Sequence, residues 1–108
     1  LPFSKDNTDN WIYVEDCAEQ LVRLALKDKL NFSCFNTGSE TINGHKLEAT
    51  VKKFIPNADI NFLEEKIHTP LIDDQDDSRI REEINFNPRS FEQGVKSLIE
   101  EVREINLN

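Results

Sequence analysis

The sequence predicts a mixed α/β fold, α+β for the chain taken alone, with a few short strands and about four helices. Three observations lead there. Apolar residues recur at helical period in four stretches, behind Asp16, Gly44, Asp77 or Ser78, and Ser90. Short aromatic or β-branched runs lie between them, at Trp11–Val14, Phe32–Phe35 and Ile60–Phe62. The two kinds of stretch alternate along the chain, with no internal repeat and no low-complexity tract.

The first ten residues are polar and rich in turn formers, so they read as a loop. Trp11, Ile12, Tyr13 and Val14 predict a short extended run. Asp16, with Glu19 three positions on, has the spacing of a capping box. The helix it opens carries Cys17, Ala18, Leu21, Val22 and Ala25 on one face and ends near Leu26. Phe32, Cys34 and Phe35, closed by Gly38, predict a buried strand ending in a sharp turn. Thr41 to Gly44 reads as a turn leading into a second helix with Leu47, Thr50, Val51, Phe54 and Ile55. Pro56 stops that helix, since it lacks an amide and restricts the residue before it. Ile60 and Phe62 alternate with Asn61 as a small strand, and 64–77 reads as a long acidic loop. Asp77 or Ser78 then caps a short helix with Ile80 and Ile84, ending near Asn85. Ser90 and Gln93 form a second capping box, ahead of a stripe of Phe91, Val95, Leu98, Ile99 and Val102. Gly94, inside that helix, costs about 1 kcal/mol relative to Ala and predicts close helix packing.

A chain of 108 residues is one domain's worth or a piece of a larger one. With 37% hydrophobic and 31% charged residues it reads as globular rather than disordered. No apolar run approaches the roughly 20 residues of a membrane span, and no secretory signal opens the chain. A cytoplasmic protein with no membrane association is the expectation. The net charge of -8 comes without any cluster of Lys and Arg, which excludes nucleic acid as an expected partner. Cys17 and Cys34 fit neither a CxxC pair nor zinc-ligand spacing, so two buried free thiols are expected. The chain opens on Leu1 and contains no methionine, which leads us to expect a fragment of a longer protein.

Three stretches, in order, carry a family resemblance. Trp11-Ile12-Tyr13-Val14-Glu15-Asp16-Cys17-Ala18 resembles an F-I-Y-V-x-D-x-A motif. Phe35-Asn36-Thr37-Gly38-Ser39-Glu40 resembles Y-N-I-G-S-G, followed by a helix that ends at a proline. Asp77-Ser78-Arg79-Ile80-Arg81-Glu82-Glu83-Ile84-Asn85-Phe86-Asn87-Pro88 resembles D-x-S-R-A-R-R-E-L-G-F-x-P, followed by S-x-E-x-G at Ser90 to Gly94. The ordered set, over nearly the whole chain, is similar to the C-terminal substrate-binding portion of an extended short-chain dehydrogenase/reductase, the NAD-dependent epimerase/dehydratase family.

The resemblance implies a Rossmann-type parent, with residues 1–108 as one substrate-binding portion and the cofactor-binding half outside it. It implies a lid over a sugar nucleotide or related small substrate, not catalytic by itself. NAD(P) is implied for the parent and no cofactor for this stretch. Gly38, Gly44 and Gly94 cannot form a dinucleotide fingerprint, and the family's Tyr-x-x-x-Lys pair is absent because Cys17 follows Tyr13 by four. No catalytic residues and no metal ligands are expected. The expected partners are the small substrate, the N-terminal Rossmann half and, for the chain alone, a second copy through self-association.

Family members that bind nucleotide sugars hold the diphosphate with arginines, one before the aromatic motif and one in the loop before D-x-S-R. Here those positions fall at Asp9 or Asn10 and near His68. A carboxylate there repels a diphosphate instead of clamping it. His68 and Arg79 are the cations this reading offers to a substrate anion, against the plainer alternatives of a loop residue and an exposed residue in a helix's first turn. The run Ile72-Asp73-Asp74 to Asp76-Asp77-Ser78 also resembles relatives that oxidise small hydroxy or amino acids, such as the short-chain threonine dehydrogenases. An acidic interaction module, binding a partner through its last helix, is the non-enzymatic alternative. The acidic run lacks the glycine and final glutamate of a calcium loop and reads as solvated surface.

Overall fold

A computed structural model describes residues 1–68 and 76–107. It contains two strands and four helices in the order β1 (Thr8–Trp11), α1 (Val14–Ala25), β2 (Glu40–Asn43), α2 (Gly44–Phe54), α3 (Ser78–Ile84) and α4 (Phe91–Leu107). The fold is mixed, as the sequence predicts, with an antiparallel two-stranded sheet. Thr8 pairs with Asn43, Asp9 with Ile42, Asn10 with Thr41 and Trp11 with Glu40.

The strands are not where the apolar runs lie. β1 begins inside the polar opening segment and ends at Trp11, while Val14 already starts α1. The stretch from Thr41 to Asn43 is the second strand rather than a turn. Residues 31–39 form no strand, and Phe32 and Cys34 are exposed. No described strand lies alongside that run to take its amides, so it stays irregular. Cys17 is half-buried, so neither thiol is the buried one expected, although both are free. Ile60–Phe62 also makes no strand; an isolated parallel bridge joins Ser4 to Leu63 instead.

The helices follow the sequence more closely, apart from one cap. Asp16 is not the cap of α1. Tyr13 is, with an extended backbone and no side-chain hydrogen bond. Asp16 lies in the first turn, buried, and its carboxylate accepts from the Arg89 amide at 2.8 Å and Arg89 Nη1 at 3.1 Å. Glu19 pairs along the helix with Arg23 at 2.9 Å. At α4 the capping box is present in full. The Gln93 amide donates to Ser90 Oγ at 3.2 Å and the Ser90 amide to Gln93 Oε1 at 3.0 Å. Asn43 caps α2 by accepting from the Lys46 amide, and Ile55 ends that helix before Pro56. Asn85 ends α3 in the left-handed conformation that asparagine tolerates.

The apolar core among the described residues is thin: Tyr13, Ile42, Leu47, Ile80 and Ile84. Buried polar side chains do much of the joining. Gln20 accepts from the Gly38 amide at 2.6 Å; Gly38 has no positive φ, so it makes no sharp left-handed turn, and an added Cβ would lie 3.2 Å from the Gln20 and Pro88 side chains. Glu83 accepts from the Asn31 amide at 3.0 Å and from Asn31 Nδ2 at 2.8 Å. Gly94 is buried against Tyr13, where an added Cβ would lie 3.3 Å from Tyr13 Cβ, so the helix packing expected of this glycine is present.

The result is a slab of 48 × 41 × 17 Å with a radius of gyration of 16.2 Å. A compact domain of this length has a radius of about 13 Å. The thinness leaves helix faces uncovered. Val14, Leu21, Val22 and Leu26 on or beside α1 are exposed, as are Leu98, Val102 and Ile105 on α4.

Candidate functional site

A largely apolar concavity lies against the β1–β2 sheet. β1 supplies Asp9 and Trp11, and β2 supplies Ile42 and Asn43. The N-terminus of α2 adds Leu47, and the opening segment closes the wall with Phe3. Ile67 comes from a stretch far along the chain. The pocket has a volume of about 150 Å³. Phe3, Trp11, Ile42, Leu47 and Ile67 make most of its lining apolar, and its polar side chains are those of Asn7, Thr8, Asp9 and Asn43.

One side chain places Ile67 there. Asn7 Nδ2 donates to the Ile67 carbonyl at 2.8 Å, while Asn7 Oδ1 accepts from the Ile67 amide at 3.1 Å and the Ser4 amide at 2.9 Å. The Leu63 amide donates to the Phe3 carbonyl at 2.9 Å, which holds the same two stretches together a few residues away. Gly44 is needed at the pocket's edge. A Cβ built there would lie 2.6 Å from Lys5 Cα, so the opening segment could not pass.

The pocket's electrostatics are one-signed. No Lys, Arg or His lines it among the described residues, and Asp9 is its ionisable side chain. Asp9 Oδ1 accepts from the Asn10 amide at 2.8 Å. Asp9 enters no ion pair among the described residues.

The residues offered by the sequence separate. His68 is exposed and directly follows Ile67, so it adjoins the pocket without lining it. Arg79 is exposed on the first turn of α3, its guanidinium 4.4 Å from the centre of the Phe32 ring. It lines a different, shallower cleft of about 220 Å³ with Cys34, Phe35, Asn36 and Asp76. That cleft shares no lining residue with the pocket. In it the Ser78 amide and hydroxyl hold the Asp76 carboxyl below its usual range. Residues 73–75 of the acidic run lie outside the described residues, and no metal-holding group of carboxylates, thiols or imidazoles occurs among those described.

Asn7, Trp11 and Ile67 escape sequence reasoning. An asparagine in a polar stretch carries no pattern that separates a clasp from a turn residue. Trp11 belongs to an apolar run that explains it equally well as core.

A second arrangement joins α1 to α4. The Tyr13 hydroxyl is buried and lies beside the Glu101 carboxylate without a hydrogen bond of good geometry. That carboxylate pushes the phenol up to about 12 and also raises the neighbouring Glu15 carboxyl. Arg89 lies 4.8 Å over the Tyr13 ring and 3.7 Å from Glu15, which partly offsets the negative charge.

No family model, curated protein or solved structure matches the chain. None of the described helices is long and apolar enough to cross a membrane.

Proposed function

We propose that this chain is the substrate-binding portion of an NAD-dependent epimerase/dehydratase of the extended short-chain dehydrogenase/reductase type, and that it works as a lid over the nicotinamide end of a cofactor held by a preceding Rossmann half. One observation carries the reading. The two places that the resemblance implies for substrate, beside Asp9 and beside His68, lie far apart in sequence, yet Asp9 and Ile67 line one pocket. The slab shape and the open apolar faces of α1 and α4 support it further, because a lid portion leans on the body it closes. The irregular run 31–39 fits the same picture as a strand whose neighbours belong to the Rossmann half.

Chemistry in such an enzyme needs a glycine-rich turn so that the backbone can approach the pyrophosphate. It also needs a lysine-assisted tyrosine beside the nicotinamide. Both belong to the preceding half in this proposal, and the present residues bind and orient the substrate. That no Lys, Arg or His lines the pocket among the described residues favours the alternative within the same family, an enzyme acting on a small substrate without a diphosphate, over a nucleotide-sugar enzyme.

The test is the coding sequence upstream of Leu1 together with NAD titration. Roughly 170 to 220 further residues with a glycine-rich turn and a Tyr-x-x-x-Lys pair are expected, the length that completes an α/β enzyme of this class. The 108-residue chain alone should show no heat of binding with NAD, and the joined protein should bind it. An upstream region without those motifs overturns the proposal and leaves the interaction module.

A further inference from the structure

We propose that the pocket between β1, β2 and Ile67 selects a compact organic cation: an apolar body about the size of a benzene ring carrying one ammonium group. This deepens the reading above and rests on it only in calling the occupant a substrate. The selection itself follows from the pocket.

Volume sets the body. An apolar cavity of about 150 Å³ is what a benzene-sized molecule needs, and this pocket has about that volume. Surface chemistry sets its character. Phe3, Trp11, Ile42, Leu47 and Ile67 offer the ligand carbon and aromatic faces. Charge sets the sign. Asp9 is the ionisable group of the lining, is exposed, and is not neutralised by an ion pair among the described residues. A carboxylate at the rim attracts an ammonium group and repels a carboxylate or phosphate. Trp11 and Phe3 also line the pocket, and wherever a ring face meets the ligand it attracts a cation and offers an anion nothing. The net charge of -8 adds a long-range field of the same sign.

The molecule carries its own reporter. Trp11 is the sole tryptophan and lines the pocket, so its fluorescence follows occupancy directly. The probes are benzylamine, benzyl alcohol and benzoate, one ring with a positive, neutral or negative head. Titrated into the full 108-residue chain, benzylamine should bind about fivefold or more tightly than benzyl alcohol, the ratio expected of one ion pair in high dielectric. Benzoate should bind more weakly than both. Asp9→Asn should bring benzylamine down to the level of benzyl alcohol while leaving the alcohol unchanged, and added salt should weaken the amine alone.

Benzoate binding as tightly as benzylamine overturns the inference. So does an unchanged benzylamine affinity in Asp9→Asn, or the absence of any Trp11 response to all three probes. A joined enzyme that binds NAD and turns over substrate while the pocket refuses the amine defeats this inference and leaves the proposed function standing. Amine selection in a chain whose upstream region lacks a Rossmann half defeats the function and leaves the site.

Discussion

The side chain of Asn7 pairs with both backbone polar groups of Ile67, donating to its carbonyl at 2.8 Å and accepting from its amide at 3.1 Å. The same Oδ1 accepts from the Ser4 amide at 2.9 Å. A single primary amide therefore takes the place of a strand partner for Ile67 and fixes one wall of the pocket.

Asn7→Ala should destabilise the chain by about 1–3 kcal/mol, because partly buried backbone groups lose their partner and have no second one of the right geometry. Urea unfolding reads that loss as a lower midpoint with an unchanged slope. Benzylamine affinity should fall with it, since Ile67 is no longer held in the wall. An Asn7→Ala chain of unchanged midpoint shows that water replaces the clasp at no cost.

Gly44→Ala should destabilise despite the better helix propensity of alanine. The new Cβ meets Lys5 Cα at 2.6 Å, and that atom is backbone, so the opening segment must move. Overpacking of this kind costs about 1–3 kcal/mol, against less than the about 1 kcal/mol that propensity gives in a helix interior, since Gly44 is the first residue of α2. Gly94→Ala is the control. Its Cβ would lie 3.3 Å from Tyr13 Cβ, a contact that a small shift relieves. Thermal melts should rank wild type above Gly44→Ala, with Gly94→Ala closer to wild type than Gly44→Ala.

Acid should destabilise the fold through two glutamates. The Asn31 amide, and the Lys27 ammonium at 3.6 Å, hold the Glu83 carboxyl below its ordinary value of 4.5. The Lys46 ammonium and the Phe91 amide do the same for Glu40. Their folded pKa lies below the unfolded one, so their stabilisation is full only about a pH unit or more above the ordinary 4.5 and is lost progressively as pH falls toward and through the folded values. Glu15 works the other way. Glu101 raises its pKa, so acid relieves a repulsion there, but Glu15 is exposed and salt screens the effect. Urea midpoints should therefore drop between about pH 6 and pH 3.5. Glu83→Gln should flatten that dependence, and a wild-type midpoint that rises on acidification contradicts the assignment.

The isolated chain should self-associate. Val22 and Leu26 lie one turn apart and are 55% and 78% exposed, and Leu98, Val102 and Ile105 form an open stripe on α4. The net charge of -8 opposes association, so added salt should promote it. Sedimentation velocity should show species larger than a monomer, and Leu26→Lys should shift the distribution toward monomer. A wild-type monomer that unfolds cooperatively well above about 60 °C contradicts the expectation of a marginally stable chain with open apolar faces.

The sequence alone located the four helices and most of their ends, the start of α1 excepted. Period in Leu47, Thr50, Val51 and Phe54 locates α2, Pro56 bounds it, and the Ser90–Gln93 box opens α4 as written. These signals are local: a cap, a stop and a stripe depend on residues within one or two turns. The strands depended on something else. Phe32 to Phe35 has the composition of a strand and none of its pairing, while Thr8 to Trp11 has polar composition and is paired with Glu40 to Asn43. A strand exists only where another backbone offers matching amides and carbonyls, and composition does not encode that neighbour. The same holds for polar side chains. Asp16 has the spacing of a cap, yet the Arg89 amide, 73 positions away, claims its carboxylate, and Ile67, 60 positions away, claims Asn7. Local spacing offers such a side chain several partners of similar worth. Burial decides among them, because an amide shut away from water must be satisfied by whatever acceptor the tertiary structure brings to it.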